Sequence, residues 1–70
     1  MWTQVEIDGY EAYLKYFEEP SKHGIEGGRI SKMNIRKDGV ELYNYDRGLD
    51  FDSLDAAGRM VYEYLINRYN

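Results

Sequence analysis

Two Asp-Gly dipeptides, Asp8-Gly9 and Asp38-Gly39, constrain this chain more than any other feature. An Asp-Gly pair supplies two consecutive positions that tolerate positive φ, as the tightest hairpin turn requires. Each pair lies between segments in which polar and apolar residues alternate. Before the first, Thr3, Val5 and Ile7 share one face, and Trp2, Gln4 and Glu6 share the other. After it, Ala12, Leu14 and Tyr16 alternate with Tyr13, Lys15 and Phe17. Around the second, Ser31, Met33 and Ile35 fall together, and Val40, Leu42 and Asn44 alternate with Glu41, Tyr43 and Tyr45. Pro20 stops the second strand because it cannot donate to a ladder. The three glycines of Ser21 to Gly28 mark a loop. This pattern predicts strands over about 2–7, 10–19, 29–37 and 40–46.

The C-terminal third follows a different period. Leu54, Ala57, Val61, Tyr64, Leu65 and Arg68 recur at helical spacing, and Met60 and Ile66 widen the apolar stripe. Asp52 is placed to cap a helix over about 52–68, with Ser53 and Asp55 in its first turn. Gly58 beside the stripe costs about 1 kcal/mol against alanine, which points to a close approach to the sheet. The expected fold is α+β: a four-stranded antiparallel meander with one C-terminal helix on one face, in the order ββββα. It forms a single domain.

Seventy residues leave little room for a core, since a chain of this size buries only about 60% of its unfolded surface. Tyrosine supplies eight of the apolar residues, against two phenylalanines and one tryptophan. Cysteine is absent, which removes disulfides, thiol nucleophiles and thiolate metal sites together. No apolar run approaches the roughly 20 residues of a membrane span. The sequence opens without the basic stretch and apolar block of a secretory signal.

The net charge of −4 conceals a pattern. Up to Glu19, the acids Glu6, Asp8, Glu11, Glu18 and Glu19 face only Lys15. From Pro20 to Lys37, the bases Lys22, Arg29, Lys32, Arg36 and Lys37 face only Glu26. Beyond, seven acids face Arg47, Arg59 and Arg68. A basic middle between acidic ends suits cross-strand ion pairing, each pair worth a few tenths of a kcal/mol. It also suits a local anion site. General nucleic-acid binding is disfavoured, because it calls for a basic overall balance.

Catalytic chemistry finds no constellation here. His23 is the single histidine, and Ser21 lies too near it along an extended chain to form a productive pair. Asp46, Asp50, Asp52 and Asp55 lack calcium-loop spacing, and capping explains Asp52 and Asp55 more simply. No metal, no cofactor and no enzymatic activity are expected.

Two segments exceed what the fold requires. In Gly24 to Lys32, Gly27 and Gly28 free the backbone to converge on an anion, with Arg29, Ser31 and Lys32 as donors. The spacing is not that of a P-loop, and a strand follows where a helix is needed. In Asn44 to Asp50, Arg47 precedes Gly48 and can lie beside the basic loop. A hinge and an ordered turn are the simpler readings of both segments. Tyr13, Phe17, Tyr43 and Tyr45 are expected on the sheet face opposite the helix as an aromatic surface, while Tyr10, Tyr62 and Tyr69 are ordinary scattered tyrosines. A one-residue slip would exchange the two faces.

The run Glu19-Pro20-Ser21, Gly24-Ile25, Gly27 to Lys32, then Tyr45-Asp46-Arg47-Gly48 and Asp50, resembles a family of short uncharacterised proteins of Firmicutes and their phages, a domain of unknown function. The resemblance spans nearly the whole chain, and departs where Leu49 stands in place of a common tryptophan. It implies no activity or catalytic residues. It does imply a phage or mobile-element setting in the cytoplasm of a bacterial host, where small acidic proteins act as counter-defence factors. Three functions follow as expectations. The first is a non-enzymatic inhibitor of a host defence protein, anti-CRISPR-like, acting through an acidic, tyrosine-rich surface. The second is a sponge for a small nucleotide signal, with phosphates on Arg29, Lys32 and Arg47 and a base stacked on Tyr43 or Tyr45. The third is a homo-oligomeric accessory domain.

Overall fold

The computed structural model describes residues 1–70. The chain forms β1 (Trp2–Ile7), β2 (Tyr10–Tyr16), β3 (Ile30–Lys37), β4 (Val40–Asp46), β5 (Leu49–Asp52) and α1 (Ala56–Tyr69). The strands make one antiparallel sheet in sequence order, a five-stranded meander, with the helix following. Both Asp-Gly pairs form the expected turns: φ is 50° and 82° at Asp8 and Gly9, and 52° and 78° at Asp38 and Gly39. No helix is long and apolar enough to cross a membrane.

The fifth strand corrects the expected four. Arg47-Gly48 makes a tight turn after β4, and Leu49–Asp52 pairs back along it. All four of its residues are exposed, two of them acids, so it carries no core signal and its charges blunt the edge. The helix accordingly starts at Ala56 rather than near Asp52. Asp55 is the cap, accepting from the Gly58 N–H at 2.7 Å. Asp52 ends β5 instead, where the Arg59 guanidinium donates to both its carboxylate oxygens at 2.9 and 2.7 Å. Strand β2 stops at Tyr16, before the acidic pair Glu18-Glu19.

The helix lies over β2 and β3, the middle of the sheet's buried face. Tyr10, Ala12 and Leu14 from β2, Ile30, Met33 and Ile35 from β3, Tyr43 from β4, and Val61 and Leu65 from α1 form the core. Ile25 joins them from a single 3-10 turn at Ile25–Gly27. Each fully buried Leu or Ile contributes about 1.5–3 kcal/mol, which makes a core this small sensitive to single truncations. A Cβ on Gly58 would stand 3.2 Å from the Tyr10 ring, the close approach its position predicts.

Two tyrosines lie on the face opposite to the one expected for them. Ile35 is opposite Tyr43 and Arg36 is opposite Glu41, so Leu42 is an extra residue in β4. This bulge shifts the alternation by one. Tyr43 and Tyr45 then fall beside Ile35 and Met33 on the helix side, while Tyr13 keeps the open side. Tyr43 is buried, its ring 5.3 Å from that of Tyr62, and burial pushes its hydroxyl pKa up. Tyr10 is likewise fully buried rather than a scattered surface tyrosine. Its hydroxyl donates to Asp55 at 2.7 Å, tying sheet to helix cap.

Candidate functional site

The face away from the helix is left uncovered, and its side chains form ordered rows across the strands. One row runs Trp2, Lys15, Lys32, Asp46; the next runs Gln4, Tyr13, Asn34, Asn44, Phe51. The first row sets Lys15 directly across from Lys32, a like-charge pairing that costs stability in a sheet. Asp46 offsets part of it, at 3.7 Å from Lys32. The Trp2 ring offsets a further part, its centroid 5.7 Å from the Lys15 ammonium and 5.9 Å from that of Lys32. The remaining ion pairs are Arg36–Glu41 and Arg59–Asp52, so Lys15 has no carboxylate partner.

These lysines open into a cavity of about 350 Å³ at the end of the sheet. Lys15, Lys32 and Arg47 supply its charge, Ser21 and Ser31 its hydroxyls, Phe17 an aromatic wall and His23 its rim. No carboxylate lines it. Arg47 projects from the β4–β5 turn, its backbone at φ 60° and its N–H donating to the Ser31 carbonyl at 2.8 Å. Its guanidinium, like the Lys15 ammonium, has no carboxylate partner. A side chain held at a left-handed backbone position stores strain, and such strain collects at functional sites.

The wall facing Arg47 is the loop of residues 17–29. Ser21 N–H donates to the Gly28 carbonyl at 3.0 Å, Gly24 N–H to the Ser21 carbonyl at 2.9 Å, and Gly28 N–H to the Ile25 carbonyl at 2.8 Å. The Tyr45 hydroxyl donates to the His23 carbonyl at 3.0 Å, fastening the loop to β4. The Ser21 hydroxyl accepts from the His23 backbone N–H at 3.1 Å rather than meeting the imidazole. Ser31, a bulge residue where Lys15 pairs with Lys32 and Tyr16 with Ile30, donates to the Lys15 carbonyl at 3.4 Å. The cleft is therefore a preformed concavity of cations and hydroxyls, suited to holding an anion by charge-assisted hydrogen bonds.

A family model described as a domain of unknown function (DUF7678) matches residues 1–70. The chain belongs to this family. Comparison with curated proteins and with solved structures finds no match.

Within this DUF7678 domain, Ser31, Lys32 and Arg47 converge as the sequence suggests, and three other expected residues do not join them. Arg29 turns to the helix: its Nε and Nη2 donate to the Tyr69 carbonyl at 3.1 and 2.9 Å, satisfying the helix C-terminus. Its guanidinium also lies 5.4 Å from the Tyr16 ring centroid. Gly28 makes room for Asn70, whose amide would meet a Cβ there at 2.2 Å. That amide donates to the Ile25 carbonyl and accepts from the Ile30 N–H, both at 2.9 Å. Gly27, at φ 70°, ends the 3-10 turn outside the cleft. The glycine run thus clasps the helix terminus and lies outside the lining of the cleft.

Of the expected aromatic surface, Tyr13 and Phe17 are exposed, Tyr43 is core and Tyr45 is the loop tether. Trp2 and Phe51 join Tyr13 and Phe17 among the exposed aromatics. Lys15, Ser21, His23 and Trp2 are the residues that sequence reasoning missed. The four nearby aspartates are individually engaged: Asp46 by Lys32, Asp50 by the Asn44 amide at 3.2 Å, Asp52 by Arg59 and Asp55 by the helix N-terminus.

Proposed function

We propose that this domain is a small non-catalytic binding protein that captures a phosphate-bearing ligand in the basic cleft. The observation that carries the reading is the facing pair Lys15 and Lys32, with Arg47 beside them and no acid in the lining. Three cations converging at a repulsive cost make sense where an anion joins them, and the Ser21 hydroxyl, which only accepts within the loop, keeps its proton to donate. In the phage and host-cytoplasm setting that the family resemblance implies, such a protein acts as a sponge that withdraws a small anionic signal from host defence.

Titration with pyrophosphate at low ionic strength tests the reading. Calorimetry should show saturable binding that weakens steeply with salt. At a ligand concentration near 100 times Kd, linkage raises stability by about 2.7 kcal/mol. In a domain of this size each kcal/mol moves Tm by about 4–8 °C, so the shift is easily measured. Lys32→Ala should abolish it. Absence of both heat and thermal shift at millimolar pyrophosphate overturns the reading.

A second reading keeps the protein as an inhibitor that docks on a host defence protein. The uncovered face favours it, since Trp2, Tyr13, Phe17 and Phe51 are the aromatic kind of residue that anchors interfaces. Burial of Tyr43 weakens it relative to the first, because the exposed surface is less rich in tyrosine than the sequence suggests.

A further inference from the structure

A second hollow, of about 130 Å³, adjoins the basic cleft, and Lys32 lines both. It lies on the uncovered face, bounded by Trp2 and Tyr13 with Asn34 and Asn44 between strands, and its one carboxylate, Asp46, is the partner of Lys32. Its polar groups are fixed before any ligand arrives. Arg36 Nε donates to Asn34 Oδ1 at 3.0 Å, and Asn34 Nδ2 donates to Glu41 at 2.8 Å and to Asn44 Oδ1 at 3.3 Å. Asn44 Nδ2 in turn donates to Asp50.

An inorganic anion needs only the first cleft. The second offers what the first lacks, oriented amides, and sets them beside the indole of Trp2. The two are coupled at Trp2: both lysine ammoniums lie within 6 Å of its ring centroid, so a phosphate gathered between them rests next to the indole. Building on the phosphate reading above, we infer that the ligand is a nucleoside phosphate. Its phosphate lies among Lys15, Lys32 and Arg47, and its base packs on Trp2 over the Asn34–Asn44 pair. Charge limits its length. Beyond the asparagine row come Glu6 opposite Glu11, and Glu41 pairing Arg36. A polynucleotide continuing across the sheet would bring phosphates against these carboxylates, so the site suits a mononucleotide.

Trp2 is the only tryptophan, so its fluorescence, excited beyond tyrosine absorption, reports directly on a stacked base. Titrations compare pyrophosphate, ribose 5-phosphate, nucleoside 5′-monophosphates and 5′-diphosphates, and oligothymidylates of increasing length. Nucleotides should bind about tenfold or more tighter than the base-free phosphates, the factor that one stacked base supplies, and should quench Trp2. Trp2→Ala should bring the ratio of nucleoside monophosphate to ribose 5-phosphate affinity close to one, whatever it does to phosphate binding itself, while Trp2→Tyr restores part of that ratio. Equal affinities without quenching overturn the inference and leave the phosphate reading standing. No binding by any of these probes overturns both. Affinity that climbs with oligothymidylate length overturns the assignment to a mononucleotide.

Discussion

The two ends of this sheet solve the same problem differently. At one end, Asp8-Gly9 and Asp38-Gly39 reverse the chain in two residues each, and the Asp55 cap sits against Tyr10. At the other, residues 17–29 make a long excursion, Arg47 turns the chain at a strained position, and a cationic cleft opens between them. The first end is built from local chemistry, and its hollow of about 240 Å³, between Ile7, Asp8 and the helix residues Ala57, Met60, Val61 and Tyr64, is mostly apolar and holds no cation. The second is built from contacts between residues far apart in sequence, and the concavity exists because the connection is not minimal. One economical turn, Arg47-Gly48, also lies at the second end, and it carries one of the cleft's three cations.

The largest way to break this contrast is at the glycines. A Cβ on Gly24 would fall 1.9 Å from the Gly28 carbonyl oxygen, backbone against backbone, so Gly24→Ala has to open the loop. Its expected cost is about 3 kcal/mol or more, with pyrophosphate binding lost. At Gly39 a Cβ meets nothing within 4 Å, and only positive φ is penalised. Gly39→Ala should cost about 1–2 kcal/mol and leave binding intact. Urea denaturation and calorimetry on the two variants measure the asymmetry; equal losses would abolish it.

Acid should act next most strongly, and on the opposite end. The Tyr10 hydroxyl and the Gly58 N–H hold the Asp55 carboxyl below the usual carboxylate range, and the Arg59 guanidinium does the same for Asp52, aided by the Leu54 N–H. A pKa depressed by folding contributes stability that is complete above the unfolded value of about 4 and is lost as pH falls through the folded one. Melting temperature should therefore decline below about pH 4 from this source. Asp55→Asn, which still caps the helix, should flatten that decline. An unchanged acid limb in the variant would remove Asp55 from the account.

The smallest expected effect on stability is the most informative about the cleft. Glycine in place of Arg47 relieves a left-handed position worth about 1–2 kcal/mol but loosens the unfolded chain by about 0.5–1 kcal/mol. Arg47→Gly should then stay within about 1 kcal/mol of the parent, or gain slightly. Pyrophosphate affinity should fall about tenfold or more, as for loss of a charged hydrogen bond. A variant that binds as well as the parent would show that the strain at Arg47 serves the turn alone.

What the sequence revealed follows the same division. Strand β1, both two-residue turns and the amphipathic stripe of α1 are legible because neighbours along the chain determine them. The extra residue at Leu42 leaves no mark in the alternation, so alternation alone puts Tyr43 and Tyr45 on the wrong face. Strand β5 leaves no core signal, because all four of its residues stay largely exposed. In the cleft, Ser31, Lys32 and Arg47 stood out as polar residues beside glycines. Lys15 did not, since only the register across residues 17–29 sets it opposite Lys32, and a loop of that length leaves register unspecified. Arg29 looked like an anion ligand because its carbonyl partner, Tyr69, lies forty positions away.

The meander order has a consequence in time. Every strand pairs with its neighbour in sequence, so the sheet can grow hairpin by hairpin as the chain leaves the ribosome. The helix comes last. Until residues 56–69 emerge and dock, the face carrying Tyr10, Leu14, Met33 and Ile35 has no cover. The folding domain therefore passes through a stage in which the sheet's side of the core lies open, and the docking of α1 ends that exposure.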